Sequence, residues 1–272
     1  MAYFKTGLLM VLMTCIVGFL GTLLAGFEGL IFALLFAGLM NIFAWYKSDS
    51  MVLKMYGAKQ VSESNQLSKI VKSLCRKANM PMPKVFIIEN PQPNAFATGR
   101  NPDNSSVAAT TGLLERLSQE EVTAVMAHEL AHIKNKDILI GSIAATMAAT
   151  IAFLANMAQW SAIFGSRDRN NNIFSLLIIA MITPIIAGII QMSISRSREF
   201  QADKTGAIFA KDTKGLSSAL EKLEKRSKIV PMKMGNNTTS HLFIINPFSR
   251  ELLASHPSTK ARIQRLNKLK LK

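Results

Sequence analysis

His128, Glu129 and His132 stand in the run Ala127-His128-Glu129-Leu130-Ala131-His132, which carries the H-E-x-x-H spacing. On a helix, positions i and i+4 lie one turn apart on the same face, so the two imidazoles can close on one metal ion. Glu129 then stands beside that ion, placed to take a proton from an attacking water. Half of the four histidines in the chain fall in this single turn. A helix is predicted here on local grounds as well. Ser118 followed by Glu121 forms a capping box, and Leu114, Val122, Val125 and Met126 give an apolar stripe.

A catalytic zinc site uses three protein ligands and leaves a fourth position open. The third ligand must come from elsewhere, and Glu199, in Arg198-Glu199-Phe200-Gln201-Ala202-Asp203, is the best candidate. Asp203 lies one turn further on, where it can hydrogen-bond the far nitrogen of a ligand histidine and fix its tautomer. The bland alternative makes both carboxylates solvated charges at a helix end. The nearby histidine pair tips the balance toward ligation. Two histidines remain, His241 and His256. His256, followed by Pro257, is either a polar surface residue or a donor to the oxyanion that forms when water attacks a carbonyl. Residue type and spacing leave that choice open.

The elements that position these groups are read from hydropathy. Thr6 to Phe27 is an uncharged run of 22 residues, enough to span a bilayer, and too long for the core of a signal peptide. A second run, Gly29 to Tyr46, follows so closely that the two form a tight transmembrane hairpin. Lys47 to Asp137 changes to mixed charge. It begins with an amphipathic helix over Glu63 to Asn79, carrying Leu67, Ile70, Val71 and Leu74 on one face and stopped by Pro81 and Pro83. Lys84 to Ile88 reads as a strand, Asn90 to Pro102 as a turn-rich loop, and Ser106 to Thr111 as a second strand before the metal helix. Ile138 to Ser166 and Ile173 to Ser195 form a second membrane hairpin, with Pro184 kinking the last helix. The transmembrane helices are thus expected at about 6–27, 29–46, 138–163 and 173–195. The catalytic parts occupy 47–137 and 196–272.

Net charge is +15. The basic residues lack aromatic interleaving and any base-reading motif, so nucleic acid is excluded as a partner. The excess falls on the two large segments, which carry 12 basic against 9 acidic residues (47–137) and 17 against 6 (195–272). That asymmetry places both segments and the N-terminus in the cytoplasm. The second membrane hairpin therefore lies between the two ligand helices and brings them together at the membrane face. Cys15 and Cys75 imply no disulfide framework. Gly215 to Lys228 reads as an amphipathic helix, Ile229 to Thr239 as a loop over the cleft, and Lys260 to Lys272 as a basic helix that packs on the core or touches lipid headgroups.

A further expectation concerns substrate. Val107, Ala108 and Ala109 are small residues in the strand just before the metal helix. Were that strand exposed, it could take an extended peptide as an added strand, bound through main-chain hydrogen bonds that ignore sequence. Asn94, in the neighbouring turn-rich stretch, could hold the peptide backbone by its amide. The competing reading makes these residues ordinary sheet core.

The residues together resemble the HtpX-type membrane-integrated zinc metalloproteases, distant relatives of the eukaryotic CAAX-processing zinc proteases. The likeness rests on Asn94-Ala95-Phe96-Ala97-Thr98-Gly99, the metal helix, the Arg198 to Asp203 run and His256-Pro257, framed by two membrane hairpins. It implies a mainly α fold with a small β-sheet, of the α+β zincin type. It also implies one zinc per chain on His128, His132 and Glu199, and Glu129 as general base. Asn94, His256 and Arg262 take substrate or transition-state roles by the same likeness. The implied activity is hydrolysis of peptide bonds in misfolded membrane proteins, as stress-linked quality control in the bacterial inner membrane. Its partners are unfolded protein substrates and the lipid bilayer. A metal-binding scaffold without activity is the other class considered, but it gains nothing from Glu129. A transporter fits poorly, because the membrane runs carry no charged residues.

Overall fold

The computed structural model describes residues 2–147, 196–227 and 257–271. The second membrane hairpin apart from its first turns, the 229–239 loop, His241 and His256 lie outside the described residues. The architecture is mostly helical with one small mixed sheet.

Helix α1 spans Ala2–Met55 but does not run straight. Gly26 adopts φ +58, a left-handed conformation that reverses the chain at little steric cost when no Cβ is present. Beyond it the helix packs back on itself. Asn41 Nδ2 donates to Thr14 Oγ1 at 2.9 Å, although these residues would be about 40 Å apart on one straight helix. A Cβ on Gly21 would lie 2.4 Å from the Gly29 carbonyl oxygen, so the two arms touch through backbone. Among the described residues one segment, Gly26–Met55, is long and apolar enough to cross a membrane, while Thr6–Phe19 and Ile138–Met147 are shorter apolar helices. The outward face of α1 carries exposed Phe4, Phe19, Phe32, Leu35, Leu39 and Phe43. The helix also continues nine residues past Tyr46, where the first hairpin was expected to end.

Amphipathic helix α2 covers Gln66–Ala78, inside the expected limits of 63 and 79. Asn65 caps its start by accepting from the Leu67 N–H, and Asn79 ends it at φ 48. Leu67, Val71 and Leu74 are buried by this helix. Each such side chain stabilises the fold by about 1.5–3 kcal/mol relative to exposure.

The sheet has the order β1-β2-β4-β3, with β1 Lys59–Gln60, β2 Lys84–Ile88, β3 Ala95–Asn101 and β4 Asn104–Thr110. Two corrections follow. The stretch Asn90 to Pro102, expected to be loop, contains strand β3. Its partner β4 recruits it into an antiparallel hairpin through Pro102 and Asp103, overriding weak local preference. The strand with Val107, Ala108 and Ala109 is not open at its edge. It pairs in parallel with β2 and antiparallel with β3, and the three side chains are fully buried. A peptide cannot add to it, because both sides of its backbone are already paired. The open edge on that side belongs to β3.

A short helix α3, Thr111–Leu114, leads to the metal helix α4, Gln119–Lys134. After Asp137 comes α5, described over Ile138–Met147. Helices α6 Arg196–Ala210, α7 Lys214–Ser227 and α8 Thr259–Lys268 complete the described chain. The core gathers α2, α4, α6 and α7 over one face of the sheet, with Leu74, Leu113, Met126, Leu130, Ile133 and Leu216 at its centre.

Candidate metal centre

Helix α4 is held firmly at its start. The Ser118 N–H donates to Glu121 Oε2 at 2.8 Å, and the Glu121 N–H donates to Ser118 Oγ at 3.3 Å, the expected capping box. The same buried carboxylate accepts from Ser218 Oγ at 2.6 Å and pairs with Lys222 Nζ at 2.7 Å. One side chain therefore caps α4 and fastens α7 to it.

Two turns further on, helical spacing brings His128 and His132 together with ring centroids 4.7 Å apart and planes nearly perpendicular. Their Nε2 atoms face each other at 3.2 Å. Glu199, in the first turn of α6, places Oε2 at 3.7 Å from His128 Nε2 and Oε1 at 3.5 Å from His132 Nε2. These three residues form a cluster that could hold a metal ion. The spacing passes a simple test. Tetrahedral zinc ligands at about 2.0–2.1 Å from the ion lie about 3.4 Å from one another. All three observed separations fall close to that value.

The far nitrogens are also fixed. His128 Nδ1 sits 3.0 Å from Asp203 Oδ1, and His132 Nδ1 sits 3.4 Å from Asp137 Oδ2. A proton donated at Nδ1 leaves the Nε2 lone pair free for an ion; these tautomers are assigned from the partners. Asp203 is itself clamped by Arg262, which donates from Nε to Oδ2 at 2.9 Å and from a terminal nitrogen to Oδ1 at 2.7 Å. The other terminal nitrogen lies 3.9 Å from Glu199 Oε2. Arg262 is 1% exposed, so the charge is buried along with its partner.

Burial and neighbouring charge set the ionisation of these groups. Burial pushes the Glu129 carboxyl up to about 7, with Glu199 adding to the rise against His132, Arg262 and the Ala97 N–H. Burial would lower His132, but the carboxylates of Glu199, Asp137 and Glu129 outweigh it and hold the imidazole at about 9 in the metal-free protein. His128 is held down, by burial first and by Arg262 and His132 next. Burial would raise Asp203, but the Arg262 charge and the hydrogen bonds from His128 and Arg262 keep it at about 2.

The structure thus brings together His128, Glu129, His132, Glu199, Asp203 and Arg262. Asn94 is buried just ahead of β3, where its N–H donates to Thr110 Oγ1 at 2.8 Å and its carbonyl accepts from the Thr110 N–H at 2.9 Å. Three contributors escaped the sequence reading. Asp137 faces His132 from the residue after left-handed Lys136. The Ala97 N–H reaches the Glu129 carboxylate from β3. Gly206 lies against α4, where a Cβ would stand 2.8 Å from the His128 backbone nitrogen. That glycine sits seven residues after Glu199 and three after Asp203, so its signal was the same helical face.

The chain is similar to known proteins over most of its length. The sequence pattern of Peptidase family M48 matches residues 61–270. A protein named Protease HtpX homolog from Desulforapulum autotrophicum is 47% identical over 273 residues, covering 96% of this chain and 88% of its own. Another of that name from Aquifex aeolicus is 47% identical over 264 residues, covering 92% and 87%. Protease HtpX from Legionella pneumophila is 45% identical over 271 residues, covering 96% and 97%. Among solved structures, S. mikatae Ste24p superposes with a TM-score of 0.52 at 19% identity, covering 93% of this chain. The likeness spans 62% of the Ste24p chain, less than two thirds of its length, and speaks to the fold alone. With the family pattern covering most of the chain and full-length relatives near half identity, the chain belongs to peptidase family M48 and is a metalloprotease of the HtpX type.

Proposed function

We propose that the chain is an integral membrane zinc endopeptidase that cuts unfolded or damaged membrane proteins on the cytoplasmic side, as a quality-control activity. In this reading four transmembrane helices form two hairpins in the bacterial inner membrane. The observation that carries the proposal is the cluster of His128 Nε2, His132 Nε2 and the Glu199 carboxylate, whose Oε2 lies 3.7 Å from the first histidine and Oε1 3.5 Å from the second, beside buried Glu129. Zinc held there would act as a Lewis acid on the scissile carbonyl and make water a stronger acid.

The chain's own residues do the rest. Glu129 accepts the proton of the attacking water and returns it to the leaving amine. The peptide lies along β3, the outermost strand on that side, beside the Glu129 carboxylate. Neighbouring residues of a paired strand turn their N–H groups alternately toward and away from the partner. The Ala97 N–H points to Glu129 and the Gly99 N–H donates to Ser142 Oγ at 3.1 Å, so the odd-numbered residues face away from β4. Main-chain pairing along that edge selects extended, unfolded segments with little regard to sequence. Asn94, at the start of this edge, would hold the peptide backbone. His256 would donate to the carbonyl oxygen as it gains charge. Arg262 was expected to touch substrate or transition state, but its paired hydrogen bonds to Asp203 favour a positioning role.

Purified protein in detergent, incubated with an unfolded membrane protein, tests this reading. Cleavage is expected with zinc, is lost on chelation and returns when zinc is restored. Cleavage that ignores the chelator would contradict it.

A further inference from the structure

Asp137 stands at the end of the metal helix, just before α5 enters the apolar segment. Its Oδ2 lies 3.4 Å from His132 Nδ1, and its Oδ1 lies 3.8 Å from an Arg198 terminal nitrogen. Arg198 directly precedes the ligand Glu199 in α6. The residue therefore links both ligand helices at the two chain ends of the 138–195 segment. All the groups concerned are largely buried, with side-chain exposures of 16% for His132, 12% for Asp137 and 19% for Arg198.

We infer that Asp137 is a positioning residue for the metal. Its carboxylate accepts the His132 Nδ1 proton through one oxygen and is ion-paired through the other with the Arg198 guanidinium, 3.8 Å away. The ring is thereby kept in the tautomer whose Nε2 lone pair faces the cluster. The arrangement parallels the one around His128, where Asp203 faces Nδ1 and Arg262 holds Asp203. Each ligand histidine then has its own carboxylate, and each carboxylate has its own arginine. The inference rests on the metal reading given above.

The chemistry gives a specific test. In Asp137→Asn the side chain keeps its shape but has one oxygen and one NH2. Arg198, a pure donor, draws the amide oxygen, and the NH2 then faces His132 Nδ1. That favours the wrong tautomer, with a proton on Nε2 where the ion should bind. Zinc affinity of the full-length protein in detergent, measured by competition with a chromophoric chelator, should fall about ten- to a hundredfold. The cobalt(II) absorption spectrum should shift, and the loss of affinity should exceed what any loss of metal-free thermal stability accounts for. Replacing Arg198 by Met in the same variant frees the amide oxygen to turn toward Nδ1, and affinity should recover to within about threefold of Arg198→Met alone. Parental affinity in Asp137→Asn would overturn the inference. So would a loss of affinity matched by a loss of metal-free stability, because the role would then be structural. A parent that binds no zinc defeats the metal reading itself, an outcome distinct from both.

Discussion

Each histidine of the candidate centre faces a carboxylate on its far nitrogen, Asp203 at His128 and Asp137 at His132. Glu199→Ala should lower zinc occupancy and activity together, and elemental analysis showing full occupancy would remove Glu199 from the ligand set. Ion uptake also has a predictable pH dependence. In the metal-free protein His132 carries a proton below about 9, and that proton must leave before Nε2 can ligate. Uptake therefore releases a proton, and apparent zinc affinity should fall about tenfold per unit as pH drops below about 9. Calorimetric titration in buffers of different ionisation heat reads the proton count directly. Arg262→Leu leaves Asp203 buried without its clamp, so denaturant unfolding should show a loss of about 3–5 kcal/mol. His128, Glu129 and His132 were legible because their spacing has meaning only on a helix. Glu199 was read as the candidate third ligand from its place just past the last apolar run, and Asp203 from lying one turn beyond it. Asp137 was not, because it acts across a helix end where left-handed Lys136 breaks the period.

At the scale of elements, the centre depends on how closely α6 lies against α4. Gly206 allows that approach at the His128 backbone. Gly206→Ala would press a methyl group on backbone that cannot rotate away, costing about 1–3 kcal/mol. It should also weaken zinc binding, since the same helix carries Glu199 and Asp203; affinity and unfolding measured together would show both losses. The helices were readable from apolar period and capping residues, with α2 and α4 close to their expected limits. Strand β3 was not. Turn formers crowd its approach, and its strand identity comes from pairing with β4 rather than from its own residues. Proline substitution separates the two strands. Ala97→Pro removes an N–H that faces away from β4 and toward Glu129, so the fold and bound zinc should persist while cleavage is lost through the peptide pairing, the Glu129 contact or both. Val107→Pro falls in the paired interior and should destabilise the sheet itself. Full cleavage by Ala97→Pro would mean the peptide docks elsewhere.

At the scale of the molecule, a membrane-embedded arm and a polar catalytic part share one chain. The hydropathy of the first two runs announced a hairpin, and the Asn41–Thr14 hydrogen bond, with the contact between Gly21 and Gly29, joins its arms. In the proposed mechanism one ion is held by His128, His132 and Glu199, and Glu129 moves the proton. Glu129→Gln separates holding from turnover. The measurement is zinc content and substrate cleavage on the same preparation of that variant and the parent. The account predicts one zinc per chain in both, with cleavage only by the parent. Comparable cleavage by Glu129→Gln would contradict it.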